Sequence, residues 1–344
     1  MTDVFGRRYS LVIGRLASSL IATAPQYVAD SATVRDSLSN PTISGSSVEL
    51  DYRTEPESFI KITDLNIKAD IVYTKEVNNK GGTQNNTIEV HNLSKESKAK
   101  IREDDLIFLK AGYVQDIPDN GDEDDLPLVF AGQVIFSSSS RGQDGTNVTT
   151  LVCGDNIIPK RAIKVSEAWL PGTGLSQVIL DLLSIAAANG IPTGRVFGLS
   201  DVGSPLSENV YTYGYSISGT LFDEIQKICD SIDFIFYTNL GKIFIEPKGE
   251  KLNSELYEFI LLDELTLKKP IEYVLDSSKS QGKDSRSGIR TVTFLNGSVT
   301  ADKIVNISSV SDEFNGDYTV KSVRHSLDFE GANWDTTVDC ARVI

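Results

Sequence analysis

The chain has 344 residues, of which 33 are Lys or Arg and 48 are Asp or Glu, so its formal net charge is −15 at pH 7. This length exceeds one ordinary hydrophobic core and predicts two or three domains. The acidic charge argues against a protein that holds nucleic acid by neutralising its phosphates. No run of about 20 apolar residues predicts a membrane-spanning helix, and the interrupted apolar stretch Leu11–Ala24 predicts neither a signal peptide nor an anchor.

The cysteines are odd in number and widely spaced: they are Cys153, Cys229 and Cys340. Such spacing predicts neither a disulfide framework nor a C-x-x-C metal or redox site. A reducing cytosol is therefore the expected place of synthesis.

The first part of the chain predicts an N-terminal arm followed by a β domain. Residues 1–47 contain a short strand or arm and then a polar loop rich in Ser and Thr, whereas residues 48–156 alternate apolar and polar positions. Three antiparallel strands are predicted for the segments VELDY, FIKITDLNIKADIVYT and TIEVHNL. Further strands are predicted for LIFLKAGYV, LVFAGQVIF and VTTLVCGD. A short polar helix is predicted from Leu93 to Arg102, with Ser94 as its N-cap. Together they predict a six- or seven-stranded barrel or sandwich.

An acidic loop, Asp116–Asp125, interrupts this β domain. Clustered carboxylates are ligands that Ca²⁺ prefers, but the spacing is not that of an EF-hand, which has glycine sixth and glutamate twelfth. We interpret the segment as a solvated loop.

Residues 157–250 predict an inserted α/β domain with two amphipathic helices and a hairpin. The first helix spans Leu175–Ala188 and is followed by the C-terminal signal Asn189-Gly190. Residues 191–210 then predict a loop. The second helix, Leu221–Ile232, has one apolar face with a 3.6-residue period. That face contains Leu221, Phe222, Ile225, Ile228, Cys229 and Ile232.

The second helix and the hairpin after it form the clearest local signal in the chain. Ser218 or Thr220 is expected to cap the helix by accepting a hydrogen bond from a free backbone N–H. The strands Asp233–Tyr237 and Lys242–Glu246 flank the turn-prone segment Thr238–Gly241 and predict a β-hairpin. We expect the apolar helix face to pack on this hairpin.

Residues 251–344 predict a second β domain. Its strand segments are YEFILL, ELTL, EYVL, RTVTFL, KIVNISSV, YTVKSVRHSL and WDTTVDCARV. The Ser-, Lys- and Gly-rich run Ser277–Gly288 predicts a loop. The dipeptides Asn296-Gly297 and Asn315-Gly316 predict hairpin turns.

No catalytic, cofactor-binding or metal-ligating set of residues is predicted. His91 and His325 lie in separate strand patterns without an acid–base partner, so we assign both a structural role. Cys153 and Cys229 occupy apolar positions and predict small buried hydrophobes rather than nucleophiles. The G-x-G of Gly172–Gly174 lacks the third glycine and the lysine of a nucleotide-binding loop.

Several separated patches resemble the baseplate hub proteins of contractile-tailed phages, a family with tail-tube-like barrels. In the first β domain they are Asn86-Thr87-Ile88-Glu89-Val90-His91-Asn92-Leu93-Ser94, Ala111-Gly112-Tyr113 and Phe130-Ala131-Gly132-Gln133-Val134. Ser216–Leu221 with Gly241–Pro247 is similar to the hub's middle domain, and Gly316–Ser326 with Trp334–Thr337 is similar to its closing strands. The order of these patches covers most of the chain from residue 48 onward, but residues 1–47 and the acidic loop lie outside the shared pattern.

The resemblance implies a β-rich α+β fold: two tail-tube-like antiparallel β-barrel domains, at residues 48–156 and 251–344, flank the inserted α/β domain. It implies a homotrimer that joins a hexameric tail tube protein to a trimeric central spike protein and forms part of the channel for DNA passage. Tape measure and baseplate wedge proteins are further expected partners. The expected location is the tail baseplate of the virion, after assembly in the host cytoplasm. We expect no cofactor, no enzymatic activity, no stable nucleic-acid binding and no membrane contact.

Two other functions stay open from the residues alone. One is a tail-associated cell-wall or polysaccharide hydrolase that uses one pair among the 48 acidic residues. The other is a receptor- or carbohydrate-binding tail module whose surface is lined by Trp169, Tyr211, Tyr213 and Tyr215. The same aromatic residues are equally suited to a core or a subunit contact.

Overall fold

The computed structural model of the chain describes residues 6–14, 59–75, 86–119, 121–142, 145–155, 163–189, 191, 193–199, 204–248, 258–275 and 286–342. Among the predicted segments, VELDY, the polar loop at residues 29–47 and most of the loops at residues 78–86 and 277–288 lie outside the described residues.

The described chain is mostly β. Its strands are β1 (Arg7–Gly14), β2 (Phe59–Ile62), β3 (Ile67–Thr74), β4 (Asn86–His91), β5 (Leu106–Tyr113), β6 (Leu128–Arg141), β7 (Asn147–Gly154), β8 (Lys164–Trp169), β9 (Thr173–Gly174), β10 (Thr193–Val196), β11 (Val210–Tyr211), β12 (Tyr215–Thr220), β13 (Phe234–Asn239), β14 (Lys242–Pro247), β15 (Phe259–Asp263), β16 (Glu272–Leu275), β17 (Arg286–Phe294), β18 (Ile304–Ser308), β19 (Gly316–Asp328) and β20 (Trp334–Arg342). Its helices are α1 (Lys95–Lys100), α2 (Leu175–Ala188), α3 (Pro205–Glu208) and α4 (Leu221–Ser231), and short 3-10 turns lie at Val114–Asp116, Glu123–Asp125 and Asp312–Phe314.

One 13-stranded sheet contains strands from both ends of the chain. Its order is β16-β17-β20-β19-β3-β4-β7-β6-β5-β1-β2, with β18 pairing with β19 and β15 pairing with β18. The two β regions meet where β3 pairs antiparallel with β19, from Lys68 opposite Asp328 to Thr74 opposite Ser322. The β-rich class predicted from the alternation is thus confirmed.

The strands do not close into two barrels in the described part of the chain. A separate first barrel needs a free edge on β3 for its closing strand. Instead β3 gives one edge to β4 and the other to β19, and β2 pairs with β1 alone. The result is one open sheet that runs through both β regions.

The N-terminal segment is a strand inside this sheet, so of the two expectations, a short strand or an arm, residues 7–14 fit the strand. β1 pairs along its whole length with β5 and, on its other side, with β2. Tyr9, Leu11 and Ile13 are almost fully buried. Ser10 and Val12, which lie between them, are buried as well, so this strand is covered on both faces.

The segment FIKITDLNIKADIVYT forms two strands, not one, because residues 63–66 turn the chain between β2 and β3. The short helix after it is confirmed. α1 ends at Lys100, two residues before the predicted end, and the Ser94 hydroxyl accepts a hydrogen bond from the backbone N–H of Ser97 at 3.0 Å.

The first β region has one hydrophobic core to which the C-terminal strands also contribute. It contains Tyr9, Leu11, Ile67, Ile71, Ile88, Ile107, Leu109, Phe130 and Leu151, together with Leu327 and Trp334. The Trp334 ring Nε1–H donates to the carbonyl of Gly112 at 3.3 Å. A second core with residues from β15, β18, β19 and β20 includes Leu262, Val305, Val320, Val323 and Val338.

The middle region of the chain follows β7 and precedes β15. In it, α2 and α4 pack against a small sheet with the order β10-β14-β13. The bounds of α2 are those predicted, and α4 ends one residue before its predicted end. Its predicted face, Leu221 through Cys229, is buried. The β13–β14 hairpin is also confirmed, and its turn residues Leu240 and Gly241 both have positive φ, at 48° and 78°. Two successive turn residues with positive φ give a backbone twist that matches the right-handed twist of the paired strands.

Two local predictions in this region are wrong. Ser218 and Thr220 lie in β12, which pairs with β8, and Thr220 takes the N-cap position of α4 without a side-chain bond to a helix N–H. Its hydroxyl donates to the Asp223 carboxylate instead. Residues 191–210 are not a simple loop, since β10 pairs parallel with β14. Gly194 permits this because a Cβ there would meet the Phe244 ring at 2.5 Å.

The turn at Asn296-Gly297 does not join a hairpin. β17 pairs with β16 and β20, whereas β18 pairs with β15 and β19. The Asn296 carboxamide accepts from Ser298 N–H at 3.0 Å, which makes a turn between non-adjacent strands. Asn315-Gly316 does lie between the antiparallel strands β18 and β19, but a longer connection with a 3-10 turn precedes it.

Substituting Ile225 tests the packing of α4. Ile225 is fully buried, so Ile225→Ala is expected to lower the free energy of unfolding by about 2–5 kcal/mol. Ile225→Asp should cost more because it adds an unpaired carboxylate to the core. Urea denaturation followed by circular dichroism measures both. Gln226→Asp, one residue along on the half-buried side, is the matched control and should cost less than about 1 kcal/mol.

Candidate interaction surfaces

The two histidines lie in different strands of the large sheet. His325 in β19 is buried, and its Nδ1 lies 3.0 Å from the Thr336 hydroxyl. Burial lowers the pKa of His325 to about 4, so the ring is neutral at pH 7. His91 in β4 is half-buried opposite Val148. Neither geometry is that of a general acid or base beside a reacting group.

The three cysteines are buried and free. Burial raises the pKa of Cys153 and of Cys229 to about 12, and it also raises the pKa of Cys340. Because the thiolate is the nucleophile, neutral buried thiols are inert. Cys229 lies on the buried face of α4, as the sequence predicted.

In the part of the chain that the structure describes, no group of three or more His, Cys, Asp or Glu side chains is arranged to hold a metal ion. The described helices include none that is long and apolar enough to span a bilayer.

The acidic loop is solvated at Asp116, Asp119, Asp122 and Asp125, as its interpretation requires, but it is attached to the sheet at Asp124. Asp124 is only 7% exposed. Its carboxylate accepts hydrogen bonds from the Ser10 hydroxyl at 2.8 Å and from Lys61 Nζ at 2.6 Å. Its backbone carbonyl accepts from Lys110 Nζ at 2.6 Å. One acidic residue therefore ties together β1, β2 and β5, and hydropathy alone could not single it out from its exposed neighbours.

Aromatic side chains of the middle region form a stack. Trp169 lies opposite Tyr215 in the β8–β12 pair, and their ring centroids are 5.9 Å apart. Tyr211 stacks on Tyr215 at 4.2 Å with an interplanar angle of 9°. The indole N–H of Trp169 donates to the Asp181 carboxylate at 2.7 Å, which fixes the stack to α2.

Two turns beside this stack expose large apolar side chains. Leu170 is 79% exposed and Tyr213 is 95% exposed. The turns are held together because the N–H groups of Gly172 and Gly214 both donate to the carbonyl of Tyr211, at 2.9 and 3.2 Å. We call Leu170, Tyr213 and the three stacked rings the aromatic knob. Of the four aromatics that the sequence singled out, Trp169 and Tyr211 both stack on Tyr215 and these three are half-buried, whereas Tyr213 is almost fully exposed.

A second apolar surface lies on the C-terminal β region, and the sequence did not single it out. Phe259 and Leu261 in β15 are 46% and 57% exposed, and Leu265 and Val310 at the adjoining turns are each 84% exposed. The Glu264 carboxylate accepts from the Val310 N–H at 2.6 Å, so the two turns are joined. We call these four residues the β15 surface.

A buried joint connects the middle region to the large sheet. Lys75 Nζ lies 2.6 Å from the Glu246 carboxylate, and both side chains are less than 10% exposed. The same Lys75 ammonium lies 5.5 Å from the Tyr237 ring centroid. Because Lys75 follows β3 directly and its N–H donates to the carbonyl of Lys321, the ion pair lies where β3 and β19 meet the hairpin.

Other polar contacts connect the same two parts. Arg195 donates to the backbone carbonyl of Asp302, and the Asn239 amide donates to the Asp302 carboxylate at 2.8 Å. At the hairpin turn, the Gly241 N–H donates to Asp155 at 3.2 Å. These bonds fix the middle region against residues that follow β7 and precede β18.

Solved structures of phage tail proteins share this fold. The 43 kDa tail protein of prophage MuSo2 from Shewanella oneidensis aligns with a TM-score of 0.53 and 11% identity, over 82% of this chain and 94% of that chain. A tail protein from Neisseria meningitidis MC58 aligns with a TM-score of 0.51 and 9% identity, again over 82% and 94%. No protein-family model and no curated protein sequence matches the chain. The resemblance that the sequence motifs indicated is thus confirmed at the level of the fold.

Acid should destabilise the protein through His325. Its pKa falls from 6.5 in the unfolded chain to about 4 in the fold, so the neutral ring is stabilising above pH 6.5 and that stability is lost as the pH falls toward 4. At a pH of about 5 the loss is about 2 kcal/mol. His325→Gln keeps a hydrogen-bonding group without this titration. Urea midpoints of both proteins at about pH 7.5 and 5 should show a smaller drop for the variant, and equal drops would contradict the assignment.

Removing one partner of the buried ion pair should be costly. Glu246→Gln leaves the Lys75 ammonium buried without its carboxylate, which is expected to cost about 3–5 kcal/mol. Adding Lys75→Met should recover most of that loss, because no buried charge remains. Glu96→Gln, which breaks the exposed pair with Lys100, is the matched control and should cost less than about 1 kcal/mol. A double-mutant cycle from urea denaturation measures the coupling, and a coupling near zero would mean that the pair is hydrated.

Proposed function

We propose that the chain is a structural component of a phage tail baseplate, a homotrimeric hub that joins the hexameric tail tube to the trimeric central spike. The observation that carries this proposal is the large sheet, in which the pairing of β3 with β19 joins the two β regions of one chain. The fold that the chain shares with phage tail proteins supports it. In this function the two β regions act as the two tube-like units and the middle region is the insert between them.

The symmetry of the proposed assembly follows from that arrangement. Three chains with two β regions each present six units around an axis, which suits a sixfold tube on one face. The opposite face keeps threefold symmetry and suits a trimeric spike. The buried ion pair of Lys75 with Glu246 supports this function, because it fixes the middle region relative to the large sheet.

The charge of the chain suits a channel through which DNA passes. Three copies, each with a formal charge of −15, carry −45 in all. Negative walls repel phosphates, so DNA passes without being retained. Tape measure and baseplate wedge proteins are further partners in this proposal, and assembly takes place in the host cytoplasm before incorporation into the virion.

A purely structural role also accounts for the chemistry of the described residues. The thiols of Cys153 and Cys229 and the ring of His325 are buried and neutral at pH 7. A cell-wall hydrolase would need a carboxylate pair at a cleft. A carbohydrate-binding module would need exposed aromatic faces, whereas Trp169, Tyr211 and Tyr215 are half-buried and Trp169 and Tyr211 each turn one face to Tyr215.

Light scattering coupled to size-exclusion chromatography tests the proposal. The purified chain should have three times the mass of one chain and should appear in electron micrographs as a threefold ring with an open channel. Tube and spike proteins encoded beside it should each bind this trimer. A stable monomer without affinity for either would contradict the proposal.

Two further assays separate the alternatives. Release of fragments from cell-wall material, lost when one carboxylate is changed to its amide, would favour a hydrolase. Binding of the purified protein to host cells, lost in Tyr213→Ser, would favour a receptor-binding module.

A further inference from the structure

β8 is an open edge of the middle region. It pairs with β12 on one side, and no described strand pairs with its other side. Proteins usually protect such edges with lysine, proline, a bulge or a covering loop. The β8 sequence KVSEAW has no proline, its register with β12 is continuous, and its one lysine stands at the end of the strand.

The direction of the β8 backbone groups follows from its antiparallel pairing. The Leu221 N–H donates to the carbonyl of Ile163 at 3.0 Å, and these two residues continue the register of β8 with β12. Because successive residues of a strand face opposite neighbours, Val165 also faces β12, whereas Ser166 and Ala168 turn their N–H and C=O groups outward. Both residues are exposed, and no described residue hydrogen-bonds to their backbone groups.

β15 is a second open edge, and it belongs to the large sheet. It pairs with β18 on one side, and its other side has no partner among the described strands. The Ile304 N–H of β18 donates to the carbonyl of Glu258 at 3.1 Å, so Phe259 and Leu261 turn their N–H and C=O groups outward. The next outward N–H, of Asp263, already donates at 3.0 Å to a threonine hydroxyl of its own turn. The open part of the edge is therefore Phe259 to Leu261.

The two edges match when they run antiparallel with Leu261 opposite Ser166. Phe259 then lies opposite Ala168. All four residues turn their backbone groups outward, so this register gives two hydrogen-bonded pairs and four ladder hydrogen bonds. Leu170, the residue after β8, lies diagonal to Phe259 in this register, which is within reach of an aromatic side chain.

Charge selects the same register. It brings Asp263 opposite Lys164, which is exposed and has no ion pair in the described part of the chain. Oδ1 of Asp263 accepts from the Leu265 N–H at 3.1 Å, which leaves Oδ2 for the ammonium. Opposite charges across two strands are stabilising, so the lysine that deters other strands favours this one. A parallel alignment would instead place Asp263 beside the apolar Leu170.

The apolar side chains at the two edges cover each other in this arrangement. Phe259 and Leu261 belong to the β15 surface, and Leu170 belongs to the aromatic knob. The side chains of Ser166 and Ala168 are small, so they leave room for the larger side chains of β15. An added strand is recognised in this way: the ladder supplies hydrogen bonds, and the alternate side chains pack together.

Other pairings between two copies fit less well. Pairing β15 with β15 would place the carboxylates that border this strand near one another, and pairing β8 with β8 would leave the β15 surface uncovered. The outward residues of β12, Ser216 and Ser218, carry no charge. The end of β6 beyond its pairing with β5 contains Ser137–Ser140, which offer no apolar contact to Phe259.

We propose that β15 of one copy pairs antiparallel with β8 of the next copy. The two strands belong to different parts of the chain, so the contact is heterologous, and repeating it head to tail gives a ring if the rotation closes. This inference rests on the proposed function, whose homotrimer it supplies with a specific interface.

Proline at either edge tests the pairing with little effect on the monomer. Ala168→Pro and Leu261→Pro each remove an N–H that the fold does not use, and proline is tolerated at such edge positions. Each variant should keep the wild-type circular dichroism spectrum. Its trimer should dissociate at about 10- to 100-fold higher protein concentration in light scattering, because one ladder bond is lost and a carbonyl is left unpaired. Ser216→Pro, which removes an outward N–H from the β12 edge, is the matched control and should leave association unchanged.

Cross-linking identifies the partner strand and does not depend on how the proline variants fold. The native cysteines are buried, so cysteines introduced at the surface react selectively with a short bismaleimide. The double variant Leu261→Cys with Ser166→Cys should give dimers and trimers on a denaturing gel. The two single variants should not, and neither should Leu261→Cys with Ser139→Cys, which tests the end of β6.

The outcomes separate this inference from the proposed function. A trimeric wild type whose folded proline variants associate unchanged overturns the interface of β15 with β8 and leaves the hub. Cross-links from a single variant, or only with Ser139→Cys, overturn β8 as the partner, as does a weakening by Ser216→Pro alone. A monomeric wild type that still binds tube or spike protein overturns self-pairing through β15. A monomer that binds neither overturns the proposed function as well.

Discussion

The antiparallel pairing of β3 with β19 is the contact on which the rest of the structure depends. It brings together strands separated by about 250 positions, as the ion pair between Asp70 and Arg324 illustrates with a separation of 254 residues. Without it the two β regions would be separate bodies joined by the middle region. With it, Leu327 and Trp334 can complete the core of the first β region.

The middle region takes its position from the same contact. Lys75 follows β3, bonds to the backbone of β19 and reaches Glu246 on β14. The ion pair thus lies where three parts of the chain meet, and its geometry depends on β3 and β19 being paired. A buried ion pair adds little net stability, but it requires a fixed geometry because a displaced partner leaves an uncompensated buried charge. A pair of this kind suits a protein whose parts must keep a fixed spacing.

Local features of the sequence predicted local structure well. The bounds of α2 and α4 were predictable because Leu175–Ala188 and Leu221–Ile232 have an unambiguous 3.6-residue period. The β13–β14 hairpin was predictable from its turn and its β-branched strands. The pairing of β3 with β19 was not, because alternation shows that a strand has a buried face but not which strand lies beside it. The burial of Asp124 and the exposure of Phe259 were missed for the same reason: both depend on neighbours distant in sequence.

The long-range pairing also has a consequence for biosynthesis. During translation β3 emerges early, but its partner on one side is complete only when residue 328 has left the ribosome. Until then β3 exposes an edge and the first core lacks Trp334. Folds dominated by such distant contacts form slowly and leave unpaired edges open to aggregation. We therefore expect that this edge of β3 stays unpaired in the nascent chain until most of its last fifth is made.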